Sequence, residues 1–176
     1  RMAKTGAVAG LCPVTEANLG DGIFNGANYL NAGGAFGIGT DSNVNIALNE
    51  ELRLLEYSQR LKQRERNVLS QSDGSTGQTL YSGAALGGAQ AIGRNAGVIS
   101  IGKLADLVAI DSTDLSLCGL RGSQIFDGYI FAAKDTIVTD VWSAGRHMVQ
   151  GGRHVAETYI KTKYRAAISD LMATIG

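Results

Sequence analysis

The sequence is sparing with the residues that usually announce a function. It holds two histidines, two cysteines and one proline in 176 residues, and aromatic side chains make up 6%. His147 and His154 are seven positions apart in a glycine-punctuated stretch, so neither an HxH nor an HExxH pair is available for a self-contained metal centre. They read as ordinary structural or surface histidines. Cys12 and Cys118 lie more than a hundred positions apart with no CxxC pair, which excludes a zinc ribbon or a redox dithiol. Two buried free thiols in a reducing compartment are expected instead of a disulfide. A lone Pro13 excludes collagen and proline-rich linkers. Sixteen basic residues balance sixteen acidic ones, so the electrostatic footprint of a nucleic-acid binder is missing. No run approaches the roughly 18 apolar residues of a membrane span, and no charged segment followed by an apolar one marks a signal peptide. A cytoplasmic protein without nucleic-acid or membrane partners is expected. There is no GxSxG elbow, no GxGxxG opening a helix and no GxxxxGK[ST] loop.

What is present is a chain that can fold. It is 44% hydrophobic and 18% charged, with 24 glycines, which suits a buried core with tight connections. Residues 1–6 read as the tail of a helix closed by Gly6. Residues 7–12 and 35–40 are short unbroken apolar runs, the mark of strands buried on both faces in a parallel sheet. Between them, 15–22 reads as a polar loop and 23–32 as a short helix. Residues 45–69 form the clearest predicted helix, with Leu48, Leu52 and Leu55 in helical spacing and Leu54 and Leu61 widening the face. Its basic cluster Arg60, Lys62, Arg64 and Arg66 reads as a solvated face suited to the negative end of the helix dipole. A polar linker over 70–78 and a small-residue helix over 79–92 follow. From about residue 97 the text turns to short β segments at 98–101, 107–110, 137–142 and 147–149, with Gly145, Gly151 and Gly152 at turns. An amphipathic helix over 157–174 closes the chain. The alternation of strand and helix defines an α/β class.

Few side chains stand where chemistry would need them. Asp41 follows the second buried strand, at the carboxyl end where α/β folds place their sites. A carboxylate there can hold a metal or move protons. It can equally cap the next turn, as Ser42 or Asn43 can. Glu16 poses the same choice after the first strand, between lining a site and lying in a solvated loop.

The wording of the sequence adds more. Gly39-Thr40-Asp41-Ser42 after a buried strand, Gly83-Ala84-Ala85-Leu86-Gly87, Gly102-Lys103-Leu104-Ala105-Asp106-Leu107-Val108-Ala109-Ile110-Asp111 and Val141-Trp142-Ser143-Ala144-Gly145-Arg146 occur in the order of the amidohydrolase superfamily, which the chain resembles. Gly10-Leu11-Cys12-Pro13-Val14-Thr15-Glu16-Ala17-Asn18-Leu19-Gly20-Asp21-Gly22-Ile23-Phe24 and Glu50-Glu51-Leu52-Arg53-Leu54-Leu55-Glu56-Tyr57 narrow the resemblance to its formimidoylglutamate deiminase branch.

That resemblance implies an α/β fold: the C-terminal part of a metallo-dependent (βα)8 barrel, part of a small β-sandwich and a C-terminal helix. Residues 1–93 would supply the last strands and helices of the barrel, 94–156 the sandwich portion and 157–176 the helix. It implies metal-dependent hydrolysis of N-formimino-L-glutamate to N-formyl-L-glutamate and ammonia. Asp41 would be metal ligand and catalytic base, and Thr15 and Glu16 would line the substrate pocket. One divalent metal, zinc by expectation, would take its remaining ligands from a missing N-terminal portion of the same protein, and the complete protein would be a homodimer. A barrel needs about 250 residues, so this chain is expected to be inactive alone. Two alternatives stay open: another deaminase or chlorohydrolase acting on a heterocycle, and a non-catalytic α/β module assembling with a partner chain.

Overall fold

The computed structural model describes residues 1–71 and 74–175. Strand β1 (Val8–Leu11) runs parallel to β2 (Ala35–Ile38), with Val8 opposite Ala35 and Leu11 opposite Ile38. Parallel pairing brings the carboxyl ends of both strands to one edge of the molecule. At the opposite ends, the Tyr29 hydroxyl sits 2.9 Å from the Ala7 carbonyl oxygen and 3.0 Å from that of Ala35, tying the strand starts together. A 3-10 turn (Met2–Thr5) closed by left-handed Gly6 precedes β1, in keeping with a glycine-capped helical end.

The predicted loop over 15–22 is instead helix α1 (Pro13–Leu19), ended by Gly20 at φ 74°. Pro13 occupies the first turn, where its missing N–H costs nothing and its fixed φ favours entry. Two carboxylates satisfy the donors left at that end. Glu16 Oε1 accepts from the Cys12 N–H at 2.7 Å, and Glu51 Oε2 accepts from the Val14 N–H at 2.9 Å. Helix α2 (Gly26–Asn31) falls inside its predicted span.

Helix α3 (Leu48–Gln63) is shorter than the predicted 45–69, because Arg64 turns left-handed at φ 58°. The chain then folds back, and Glu56 holds it there. Its carboxylate accepts from Arg60 Nε at 2.7 Å and from the Val68 and Leu69 N–H groups, both at 3.0 Å. The buried stripe of α3 is mixed: Asn49, Glu51, Leu52, Leu55, Glu56 and Gln59. Leu61, expected on the apolar face, is 80% exposed. The basic cluster is not uniformly solvated either, since Arg60 pairs with buried Glu56 and lies over the rings of Tyr57 and Phe131.

Helix α4 (Thr76–Ala91) begins three residues before its predicted start; part of the predicted linker lies outside the described residues. Ser75 caps it, its hydroxyl accepting from the Gln78 N–H at 3.0 Å, and Asp127 Oδ1 accepts from the Gly77 N–H at 2.7 Å. Its small residues let it lie directly on β2. A methyl group on Gly87 would overlap the Phe36 carbonyl, and one on Gly37 would meet the Gly88 Cα at 3.0 Å.

The second sheet is antiparallel in the order β3 (Leu107–Ile110), β4 (Val138–Ser143), β5 (Arg146–Gln150), β6 (Arg153–His154). Ala144-Gly145 and Gly151-Gly152 make its turns, all four at positive φ. Residues 98–101 are not a strand. Gly97 at φ 90° and Gly102 at φ 84° flank them, and the Lys103 N–H donates to the Ser100 carbonyl, closing a turn. A short helix α5 (Gln124–Asp127) that the periodicity does not announce runs into a π-helical turn (Gly128–Ala132), which buries Tyr129 and Ile130. Helix α6 (Glu157–Ile175) matches its predicted span but buries no residue. Among the described residues, no helix is long and apolar enough to cross a membrane.

Candidate active site

The two parallel strands deliver two connections side by side: Cys12 and α1 after β1, and Gly39-Thr40-Asp41 after β2. The Gly39 N–H still donates to the Leu11 carbonyl at 2.9 Å, so the connections separate only at residue 40. Asp41 is then exposed and left-handed, at φ 47°. Among the described residues its carboxylate has no hydrogen-bond or ion-pair partner. The turn is capped by Asn43 instead, whose Oδ1 accepts from the Asn45 N–H at 3.2 Å and whose Nδ2 donates to the Asn45 carbonyl at 2.8 Å. Asp41 therefore does not serve as the cap.

Around it stand Thr15, Glu16, Glu51 and Cys12. Thr15 is 4% exposed, and its hydroxyl donates to the Thr40 carbonyl at 2.9 Å. Glu16 is half-buried and borders two hollows, of about 250 and 520 Å³, that open beside α1 and β1. Glu51 is fully buried; besides Val14 it receives a long contact from Asn43 Nδ2, at 3.4 Å. The Cys12 thiol reports the local charge. Burial, and then the negative charges of Asp41, Glu16 and Glu51, push it above its ordinary range, against a smaller lowering by the Gly39 N–H. Both cysteines are free, as expected, but Cys12 is only half-buried and Cys118 is exposed.

The histidines lie elsewhere, on β5 and β6. His147 Nε2 is 2.7 Å from Asp140 Oδ1 across the β4–β5 hairpin, and its ring stacks on Trp142. His154 Nδ1 accepts from the Ala156 N–H at 3.1 Å. Both are structurally employed, and the Asp140 partner of His147 is a contact the sequence reading did not anticipate. A larger apolar cleft of about 650 Å³ opens between α4, β3 and α5, lined by Tyr81, Leu107 and Phe126, and none of the site carboxylates borders it.

Sequence reasoning missed Glu51 as a member of this site. The available signal was an acidic pair, Glu50-Glu51, in the first turn of α3, which reads equally well as helix-dipole compensation.

A catalytic zinc normally takes three protein ligands and an open position. Among the described residues no group of three or more histidine, cysteine, aspartate or glutamate side chains could hold a metal ion. Asp41, an exposed oxygen donor with no competing partner, fits as one ligand of such a set and not as the set.

A carboxylate on the loop after a parallel strand stands at the carboxyl edge of the sheet, where α/β folds place their sites. The chain belongs to the amidohydrolase family, whose model matches residues 1–148. It is 45% identical over 172 residues to the formimidoylglutamate deiminase of Pseudomonas aeruginosa, covering 97% of this chain and 38% of that protein. The solved structure of an amidohydrolase from Brucella melitensis superposes with a TM-score of 0.90 at 49% identity, over 97% of this chain and 38% of that one. An adenosine deaminase from Xanthomonas campestris with bound zinc gives 0.79 at 26% identity, over 96% and 39%. The chain thus spans about two fifths of the length of the relatives it matches.

Proposed function

We propose that this chain is the part of a formimidoylglutamate deiminase that carries the catalytic aspartate. Its first 93 residues form the closing strands and helices of a (βα)8 barrel, residues 94–156 part of a β-sandwich, and 157–176 the terminal helix. The observation that carries the reading is the Asp41 carboxylate, exposed and unpartnered after β2, in a chain 45% identical to a deiminase of that name.

Asp41 is one ligand of a divalent metal, zinc by the company of the zinc-bound relative, with the other ligands outside this chain. A divalent metal held there by Asp41 and ligands from outside this chain would supply a water molecule with its pKa lowered to about 7. The residues of this chain move the protons. An Asp41 oxygen accepts a proton as the water oxygen bonds to the formimino carbon and passes it to the terminal nitrogen; it then carries the remaining hydroxyl proton of the adduct to the same nitrogen as that C–N bond breaks and the C=O forms. Water is consumed, ammonia leaves, and the formyl product remains. Glu16, which lines two hollows beside α1 that Asp41 does not border, borders the substrate in this reading. Of the two expected lining residues Glu16 is the more accessible, since Thr15 is 4% exposed and its hydroxyl donates to the Thr40 carbonyl. The complete protein is a cytoplasmic homodimer in this reading.

The test uses protein at the full length of the relatives. Ammonia release from N-formimino-L-glutamate should fall roughly a hundredfold to ten-thousandfold in D41N, with zinc lost. Adenosine, run alongside, should not be turned over. Turnover of adenosine but not of N-formimino-L-glutamate would replace the substrate with a heterocycle and keep the site; full activity in D41N would remove the site. The 176-residue chain alone should neither retain zinc nor release ammonia.

A further inference from the structure

We propose that Thr15 is the positioning residue for Asp41, acting through the peptide bond that carries it; this rests on Asp41 being the metal-binding base. Asp41 is a non-glycine residue at φ 47°, a conformation that persists only where its surroundings hold it. The surroundings that hold it come from α1. The Thr15 hydroxyl donates to the Thr40 carbonyl at 2.9 Å, and that carbonyl belongs to the peptide unit whose nitrogen is Asp41's own. Fixing its direction fixes the plane of that peptide and the N–Cα axis of Asp41, from which φ at 47° then sets where the side chain starts.

The other shoulder of the turn is tied less tightly to the same helix end. Asn43 caps the turn and touches Glu51 Oε1 at 3.4 Å, while Glu51 Oε2 accepts from the Val14 N–H at 2.9 Å. Val14 and Thr15, neighbours on α1, thus reach both sides of Asp41, one through a buried carboxylate and one directly. Thr15 is 4% exposed and Thr40 is half-buried, so the hydroxyl is a donor built into the packing beside that carbonyl. The anchor lies 25 positions upstream of its target. It links the exits of both strands and so sets the carboxylate relative to whatever stands beyond β1.

Two conservative variants separate positioning from packing and from substrate lining. T15V keeps the shape and deletes the donor; T15S keeps the donor and deletes the methyl. In full-length protein reconstituted with Co²⁺, T15V should weaken metal affinity about tenfold or more, the usual scale for groups that orient a ligand. It should also shift the visible d–d bands and lower kcat while KM stays within twofold. T15S should recover parental affinity and bands to within about twofold. The proposal is overturned if T15V binds Co²⁺ as the parent does, if T15S falls as far as T15V, or if KM alone rises, which is the signature of substrate lining. D41N separates the two levels: Co²⁺ affinity unchanged in D41N sinks the Asp41 assignment and Thr15 with it. Affinity lost in D41N but kept in T15V sinks Thr15 alone.

Discussion

The first ninety residues and the last seventy bury their side chains by different means. In the first region Leu52 and Leu80 are completely enclosed, and so are the polar Asn49, Glu51, Glu56 and Gln59. In the second, every residue of β4 is only half-buried, and α6 buries none. The buried apolar side chains after position 110, Leu117, Tyr129, Ile130, Ala133 and Ile137, all belong to the segment between β3 and β4, which packs back onto the first region. Arg53 donates from Nε to the Ile130 carbonyl at 2.7 Å and from Nη2 to that of Ala133 at 2.9 Å, and Asn49 Nδ2 reaches the same Ala133 oxygen. Stability in this chain is therefore concentrated where the candidate site is built; the trailing sheet meets that core through half-buried Ile110 and Val138, and α6 buries no residue.

The largest expected effect breaks or upholds that contrast directly. Leu80, at zero exposure in α4, packs in the core cluster with Phe36 and Leu52. L80A should cost about 2–5 kcal/mol through lost burial and a cavity. Ile168, the least exposed of the large apolar residues on α6 at 40%, should change stability by less than about 0.5 kcal/mol when cut to alanine. Urea unfolding of the two variants measures both, and comparable losses would mean that α6 is covered in solution.

A smaller effect, of opposite sign at adjacent residues, sharpens the comparison within the first region. A methyl on Gly87 would overlap the Phe36 backbone carbonyl, whereas one on Gly88 meets nothing. G87A should destabilise by about 1–3 kcal/mol, because α4 must lift off β2. G88A should stabilise by up to about 1 kcal/mol through helix propensity. Thermal melts of the pair distinguish close backbone packing from mere tolerance of small residues, since matching shifts would show that the helix does not sit on the strand.

These contrasts also explain which parts of the molecule can be read from sequence. β1 and β2 are legible as unbroken apolar runs, although β1 is not covered on both faces, with Ala9 and Leu11 buried and Gly10 exposed; Asp41 stands out as the carboxylate that follows β2. Helix α1 is not, since its text resembles a loop and one of its donors is satisfied by Glu51, thirty-seven positions away. The true face of α3 is hidden for a related reason. Glu51, Glu56 and Gln59 are buried by backbone partners that hydropathy does not register, and Leu61 then looks interior when it is not. Residues 98–101 carry strand-like composition, yet the positive φ of Gly97 and Gly102 closes them into a turn. Thr15 is the same lesson at the site: its partner is a carbonyl oxygen, which every residue possesses and no sequence displays.

The gentlest probe compares the regions through their single cysteines. Cys118 is exposed beyond the short turn that buries Leu117, while Cys12 is half-buried at the exit of β1. Burial first, and then the charges of Asp41, Glu16 and Glu51, hold the Cys12 thiol above its ordinary range. A raised thiol pKa means less thiolate at any given pH, and the thiolate is the species that alkylates. At pH 8 iodoacetamide should therefore modify Cys118 first, with Cys12 following several-fold more slowly, as time-resolved intact mass and peptide mapping would show. D41N removes one of the charges that raise the thiol, so it should speed Cys12 and leave Cys118 unchanged. A Cys12 rate insensitive to D41N would place the Asp41 carboxylate farther from the β1 exit than the geometry of the two loops requires.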